Sequence, residues 1–224
     1  MTLSEKLFLG NFFPHTLGAP LKPQFGNIKW NDDDKYFQLW CEGRTGFPVI
    51  DAAMTELNTT GKIQFQIIGS LQIAPNHPFF KISNLLSGYM NNRARTFVAD
   101  FLVKLMQIDW RKGEKHFATK LIDYDSLVNN GSWQYAFSNQ ADKPGDVRVF
   151  NPWMQSSKFD SNATYIKKWL PNLESVAPED LHNWEHGRKK YNLARLDYVR
   201  PCLDYNKQRK AANTLYKSAL HSMY

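Results

Sequence analysis

The chain has 224 residues, seven tryptophans and a formal net charge of +7, enough length for one sizeable core and enough basicity to suit a polyanionic partner. Its two cysteines, Cys41 and Cys202, stand too far apart for a disulfide framework or a metal-ligand spacing, so reduced thiols in an intracellular protein and no metal site are expected. No apolar run is long enough to cross a membrane, and residues 1–13 mix acid and base without a small-residue cleavage site, which argues against a signal peptide.

Residues 1–26 are ambiguous: Leu3 to Phe13 suits a short helix, ended by Pro14 and by Gly18 to Pro20. After Trp30, the run Asn31 to Asp34 reads as a helix start, with a capping side chain and acids at the positive end of the dipole. Tyr36, Phe37 and Trp40 follow at helical spacing. Gly43 to Pro48 is a turn, and Pro48 opens the next helix, where its missing N–H costs nothing. Val49, Ile50, Ala53, Met54 and Leu57 give that helix its buried stripe, and Asn58 to Gly61 closes it. Residues 62–88 differ in character. They begin β-branched and alternating and are broken by Pro75 and Pro78, so local propensity points to extended or irregular backbone.

Helix resumes near Asn91 and runs to about Met106, with Phe97, Val98, Phe101, Leu102 and Leu105 buried. Arg93 and Arg95 sit in its first turn against the dipole preference, so a carboxylate or phosphate partner is expected there. Asp109 caps a helix through Trp110, Phe117 and Leu121. Ser138 to Asp146 is loop, and Arg148 to Pro152 is a short apolar piece ending in a turn. Asn162 to Leu170 is a helix with Tyr165, Ile166 and Trp169 inward; Pro178 starts a brief helix; residues 203–220 form a basic final one. The chain reads as mainly helical around a single core.

The stretch Leu121 to Phe137 gathers Asp123, Asp125, Asn129 and Asn130 among Tyr124, Trp133 and Tyr135. Acids and amides amid bulky apolar residues are costly to bury unless each finds a hydrogen-bond partner. Two readings are open: a capped helix end with core aromatics, or a pocket wall facing a flat, polar, hydrogen-bonding ligand.

Taken with Glu42 to Met54, Asn92-Arg-Ala-Arg95, Ile108 to Arg111 and Phe150-Asn-Pro152, this stretch resembles the flavin-binding helical domain of the photolyase/cryptochrome family. Order and spacing of the five motifs match from about Trp30 to Leu170, and more loosely to the Arg209 region. Asn91 to Arg95 and Asn129 to Trp133 look most like cyclobutane-dimer photolyases. The resemblance implies an all-α FAD-binding domain and light-driven repair of pyrimidine dimers in DNA by electron transfer from reduced flavin, that is, a carbon–carbon lyase. It assigns Asn92, Arg95, Asp123, Asp125 and Asn129 to FAD, with Arg95 paired to Asp123 and Asn129 beside flavin N5. Trp40, Trp110 and Trp133 match the three indoles that carry an electron from the surface to the flavin. Each is also what a core tryptophan looks like. Tyr89, Arg93 and Tyr135 match residues at the mouth where a flipped lesion and its phosphates bind, with Gln155 and Lys158 as weaker matches for the same rim. Tyr135 replaces the tryptophan common in dimer photolyases.

The sequence departs from the family in two respects. The family's N-terminal α/β antenna domain and the phosphate-binding opening of its flavin domain have no match, so no antenna chromophore is expected and a second chain supplying that half is one expectation. Residues 62–88 have no counterpart; joining Gly61 to Tyr89 restores the family's order, which suggests an insertion or an intervening sequence read as coding. Two other outcomes are a cryptochrome-like blue-light receptor and a non-catalytic, DNA-binding remnant. Damaged DNA is the expected partner, in nucleus or cytoplasm.

Overall fold

The computed structural model describes residues 25–26, 28–70, 90–138 and 147–221. The expected helix from Leu3 to Phe13, the loop after Ser138 and Tyr89 lie outside them. Among the described residues there is no β-strand.

Helix α1 (Asp34–Glu42) begins where the Asp33 carboxylate accepts the backbone N–H groups of Lys35 (2.9 Å) and Tyr36 (3.3 Å). It stops at Gly43, whose φ of 67° is a left-handed cap. Pro48 starts α2 (Pro48–Ser70), which buries Ile50, Ala53, Met54 and Leu57. This helix corrects two expectations. It passes through Gly61, and residues 62–70 are helical rather than extended. Asn58 does not cap a helix end; its amide donates to the Cys41 carbonyl at 2.7 Å, tying α2 to α1. A helix already nucleated and packed over three turns propagates through residues whose own preference is for strand.

The turn between α1 and α2 is locked by Asp51. Its carboxylate accepts Thr45 N–H (2.8 Å), Thr45 Oγ1–H (2.6 Å), Gly46 N–H (2.8 Å) and the Tyr198 hydroxyl (2.5 Å). Burial pushes the Asp51 carboxyl above its ordinary value, and the hydrogen bonds pull it back. Gly46 has φ of 78°, and a β-carbon there would lie 2.2 Å from the Arg200 carbonyl oxygen. Only glycine lets the returning chain around Arg200 cross so closely.

Helix α3 (Asn92–Asp100) is capped by Asn91 and continues as a π-helical stretch, Phe101–Leu105. Lys104 in that stretch is 1% exposed and pairs with Asp100 at 2.7 Å. The same ammonium donates to the Arg148 carbonyl (2.5 Å), and Asp100 accepts Phe150 N–H (3.0 Å). A buried ion pair is tolerated when its remaining groups are satisfied, and here they fasten residues 148–150 to α3. Asp109 caps α4 (Trp110–Ala118) as the sequence implies. Helix α5 (Ser126–Ser138) packs on α4 and α3. Asn151, with Pro152 behind it, starts α6 (Pro152–Phe159). Helix α7 (Thr164–Trp169) lies against α2 and points Ile166 fully inward, while Tyr165 and Trp169 are half-buried. Short helices α8 (Pro178–Leu181), α9 (Trp184–Gly187) and α10 (Leu193–Leu196) lead to α11 (Tyr205–His221), which packs on the π-helical stretch.

Candidate functional site

A cavity of about 340 Å³ opens between α3, the end of α4, the 121–125 linker and α5. It is at the small end of ligand-pocket sizes, right for one flat ring system rather than a whole dinucleotide. Asn92, Arg95, Asp123, Asp125 and Asn129 all line it, with Trp133 and Tyr135. Residues from three separate segments therefore share one void.

Arg95 reaches across from α3. Its Nη2 meets both Asp123 oxygens, at 2.9 and 2.8 Å, and its Nε donates to the Met90 carbonyl at 2.7 Å. This is the carboxylate that its place in a helix first turn called for. The two side chains are 22% and 44% exposed, so the pair contributes little stability, about 0–1 kcal/mol. Its effect is to hold a carboxylate edge at the cavity. Asp125 does what the plain reading required: its carboxylate accepts the N–H groups of Leu127 and Val128, both at 3.0 Å, and caps α5. It lines the cavity as well.

Asn129 is 7% exposed. Its NH₂ donates to the Glu114 carboxylate (3.0 Å) and to the Glu114 carbonyl (3.2 Å). Both partners only accept, so the amide orientation is set by chemistry. Its Oδ1 has no protein partner among the described residues. Glu114 is a site residue that sequence reasoning missed. It sits on a helix that reads as an amphipathic surface element, and only the packing of α4 on α5 pairs it with Asn129.

The three expected relay indoles are all sealed: Trp40, Trp110 and Trp133 are 0%, 1% and 2% exposed. Trp133 lines the cavity and meets Trp40 edge-on at 6.1 Å. Trp40 lies behind it, with Nε1 donating to the Val98 carbonyl at 3.0 Å. Trp110 stacks on Phe137 at 6.3 Å. The half-buried Trp30 also packs on Phe137, tilted, at 5.3 Å. Sequence reasoning treated Trp30 only as the residue before a helix start; its exposure is visible only in three dimensions.

The expected mouth residues divide. Tyr135 stands 62% exposed at the first cavity. Arg93 and Gln155 instead line a second cavity of about 300 Å³ between α3 and α6. The Arg93 guanidinium lies 3.8 Å over the Phe159 ring, and Lys158 Nζ lies 5.3 Å from the same ring. Arg93 thus answers its awkward first-turn position with a cation–π contact rather than a carboxylate. Among the described residues no group of acids, histidines and cysteines is placed to hold a metal ion, and no helix is long and apolar enough to cross a membrane.

The described residues form a helical domain in which two acids, two amides, an arginine and an indole line one cavity. The sequence matches the family described as the FAD binding domain of DNA photolyase over residues 7–68 and 85–218. The chain belongs to that family. It is 39% identical over 191 residues to a deoxyribodipyrimidine photo-lyase of Vibrio cholerae, covering 85% of this chain and 34% of the relative. Its fold superposes on an archaeal photolyase of Sulfolobus tokodaii, crystallised with two FAD molecules, with TM-score 0.73 and 37% identity over 94% of this chain and 41% of that one. A Synechocystis cryptochrome matches with TM-score 0.68 and 30% identity, over 95% and 41% of the two chains. The chain spans about a third of the length of the curated relatives it matches.

Proposed function

We propose that this chain is the flavin-holding part of a light-driven lyase that repairs pyrimidine dimers in DNA. The observation that carries the reading is the convergence of the Arg95–Asp123 pair and the Glu114-oriented Asn129 on one cavity. These donors and acceptors fit an isoalloxazine ring: the Asp123 edge accepts an imide N–H, and Asn129 presents a carbonyl oxygen rather than an NH₂. Asn92 faces the same space. A reduced flavin held there supplies, on absorbing light, the electron that splits a pyrimidine dimer. Trp133 is the indole that lines the cavity, Trp40 lies behind it, and Trp110 stacks on Phe137. All three are sealed from water, so an electron from an external reductant would enter at the half-buried Trp30, which packs with Trp110 on the Phe137 ring. Tyr135 offers a stacking face to a splayed base, and Arg93 and Gln155 hold the neighbouring phosphates. Tyr89 belongs with them from the sequence alone.

The match to the family breaks off between residues 68 and 85, which supports reading the segment within 62–88 as an insertion. Nucleus or cytoplasm is the compartment where DNA is met. The purified chain, incubated with FAD, is expected to retain a stoichiometric flavin that Asp123→Ala loses. A colourless chain that cannot be reconstituted sinks the proposal. The likeness to a cryptochrome and the replacement of tryptophan by Tyr135 favour one second reading, a blue-light receptor. Illumination with dimer-containing oligonucleotides separates them: photoreduction without dimer loss indicates the receptor.

A further inference from the structure

Gly113 stands on α4 directly against the indole of Trp133. A β-carbon built there lies 2.3 Å from Cη2 and 2.6 Å from Cζ3 of that ring, and 2.6 Å from Cδ2 of Leu102. The positive-φ glycines of the described chain are Gly43 and Gly46, so backbone conformation does not call for glycine at 113. Glycine inside a helix is otherwise a cost. What this position needs is space.

The Leu102 methyl ends a flexible side chain and can swing aside. The indole cannot. Phe117 meets it edge-on at 5.1 Å and Trp40 at 6.1 Å, and the ring is 2% exposed. The side left to it is the cavity. Glu114, the next residue on α4, fixes Asn129, which precedes Trp133 on α5 by four residues and so shares its face. Two adjacent residues of α4 therefore seat two side chains of the cavity wall, one by a hydrogen bond and one by an absence.

We propose that Gly113 is a positioning residue for Trp133. Its missing side chain lets the indole lie on the α4 backbone, which holds the ring back from the cavity and against Trp40. This rests on reading Trp133 as the indole beside the flavin.

The test is a double-mutant cycle on the full chain with Gly113→Ala and Trp133→Phe, read first by equilibrium denaturation. Phenylalanine lacks the ring carbons that the new methyl would strike. Gly113→Ala alone is expected to lower the folding constant roughly 5- to 150-fold, the scale of about 1–3 kcal/mol of overpacking. With Trp133→Phe present, a coupling of roughly 2- to 150-fold should return. If Gly113→Ala does not fold, a double variant that does fold supports the proposal, and one that does not overturns it. An equal cost in both backgrounds also overturns it. The second readout is blue-light photoreduction of the FAD-loaded chain. Gly113→Ala, with the indole pressed toward the cavity, is expected to load less flavin and, per flavin bound, to photoreduce about 10- to 100-fold more slowly, as a displacement near 1 Å does to aligned groups. Normal loading with an unchanged rate overturns the positioning role. Unchanged photoreduction in Trp133→Phe overturns the relay reading instead, while the denaturation cycle still decides the packing claim.

Discussion

Asp51 and Asp123 are both aspartates tied by side-chain hydrogen bonds to a distant part of the chain, and they serve opposite ends. Asp51 is wholly buried, and four donors from the turn and from Tyr198 fill its oxygens. Asp123 is nearly half exposed, and among the described residues its side chain pairs with Arg95, which leaves a carboxylate edge open to the cavity. The first arrangement has nothing to offer a ligand and much to lose if broken. The second stabilises little and keeps bonding capacity in reserve. Completeness of hydrogen bonding, more than residue type, separates a structural knot from a binding site.

That contrast is easiest to break at Asp51. Asp51→Ala strands buried donors on Thr45, Gly46 and Tyr198, and should cost about 3–5 kcal/mol in urea unfolding. A loss below 1 kcal/mol would show that the knot is not what holds the turn. Next in size is His116, which packs against Trp40 at 5.5 Å and whose Nε2 is buried without a partner. Burial, with Lys120 nearby, lowers its pKa to about 4. The unfolded chain therefore binds this proton more readily than the folded one. Its stabilising contribution is full above the ordinary value near 6.5, falls as pH drops, and is lost below about 4. Discounted for partial exposure, about 1–2 kcal/mol should disappear across that window. His116→Phe should flatten this part of the pH–stability curve, and an unchanged slope would assign it to other groups.

Smaller still is Glu114→Leu, which removes the carboxylate acceptor of the Asn129 amide and leaves only the residue-114 carbonyl at 3.2 Å, at a cost of about 0.5–1.5 kcal/mol. Its sharper consequence is spectroscopic: the amide is held by one bond instead of two, and the absorption spectrum of bound flavin should shift while flavin content is kept. Asp123→Ala should have the least effect on folding, below about 1 kcal/mol, and the greatest on flavin retention. If Asp123→Ala unfolded the chain as Asp51→Ala is expected to, the two regions would not differ in kind.

Much of the fold is legible in the chain because its signals are local. Asp33, Asn91, Asp109 and Asn151 cap helices where capping residues precede apolar periodicity. Arg95 was legible too, since a cation at a helix start asks for an anion. Residues 62–70 misled because propensity is a weak prior that an established helix overrides. Glu114 and Gly113 were illegible because their partners lie on another helix, and a glycine's role in packing leaves no pattern of its own.

By itself, the sequence determined a helical chain, its capped helix starts, and the set of acids, amides and indoles that resembles a flavin site. Those properties depend on side chains only a few residues apart or on motif order. Tertiary structure alone decided that Asn129 turns its NH₂ to Glu114, that Trp40 is sealed while Trp30 meets water, and that Arg93 and Gln155 line a second cavity. Each of these depends on how two helices cross, and a crossing brings together residues whose separation in sequence carries no trace of the contact.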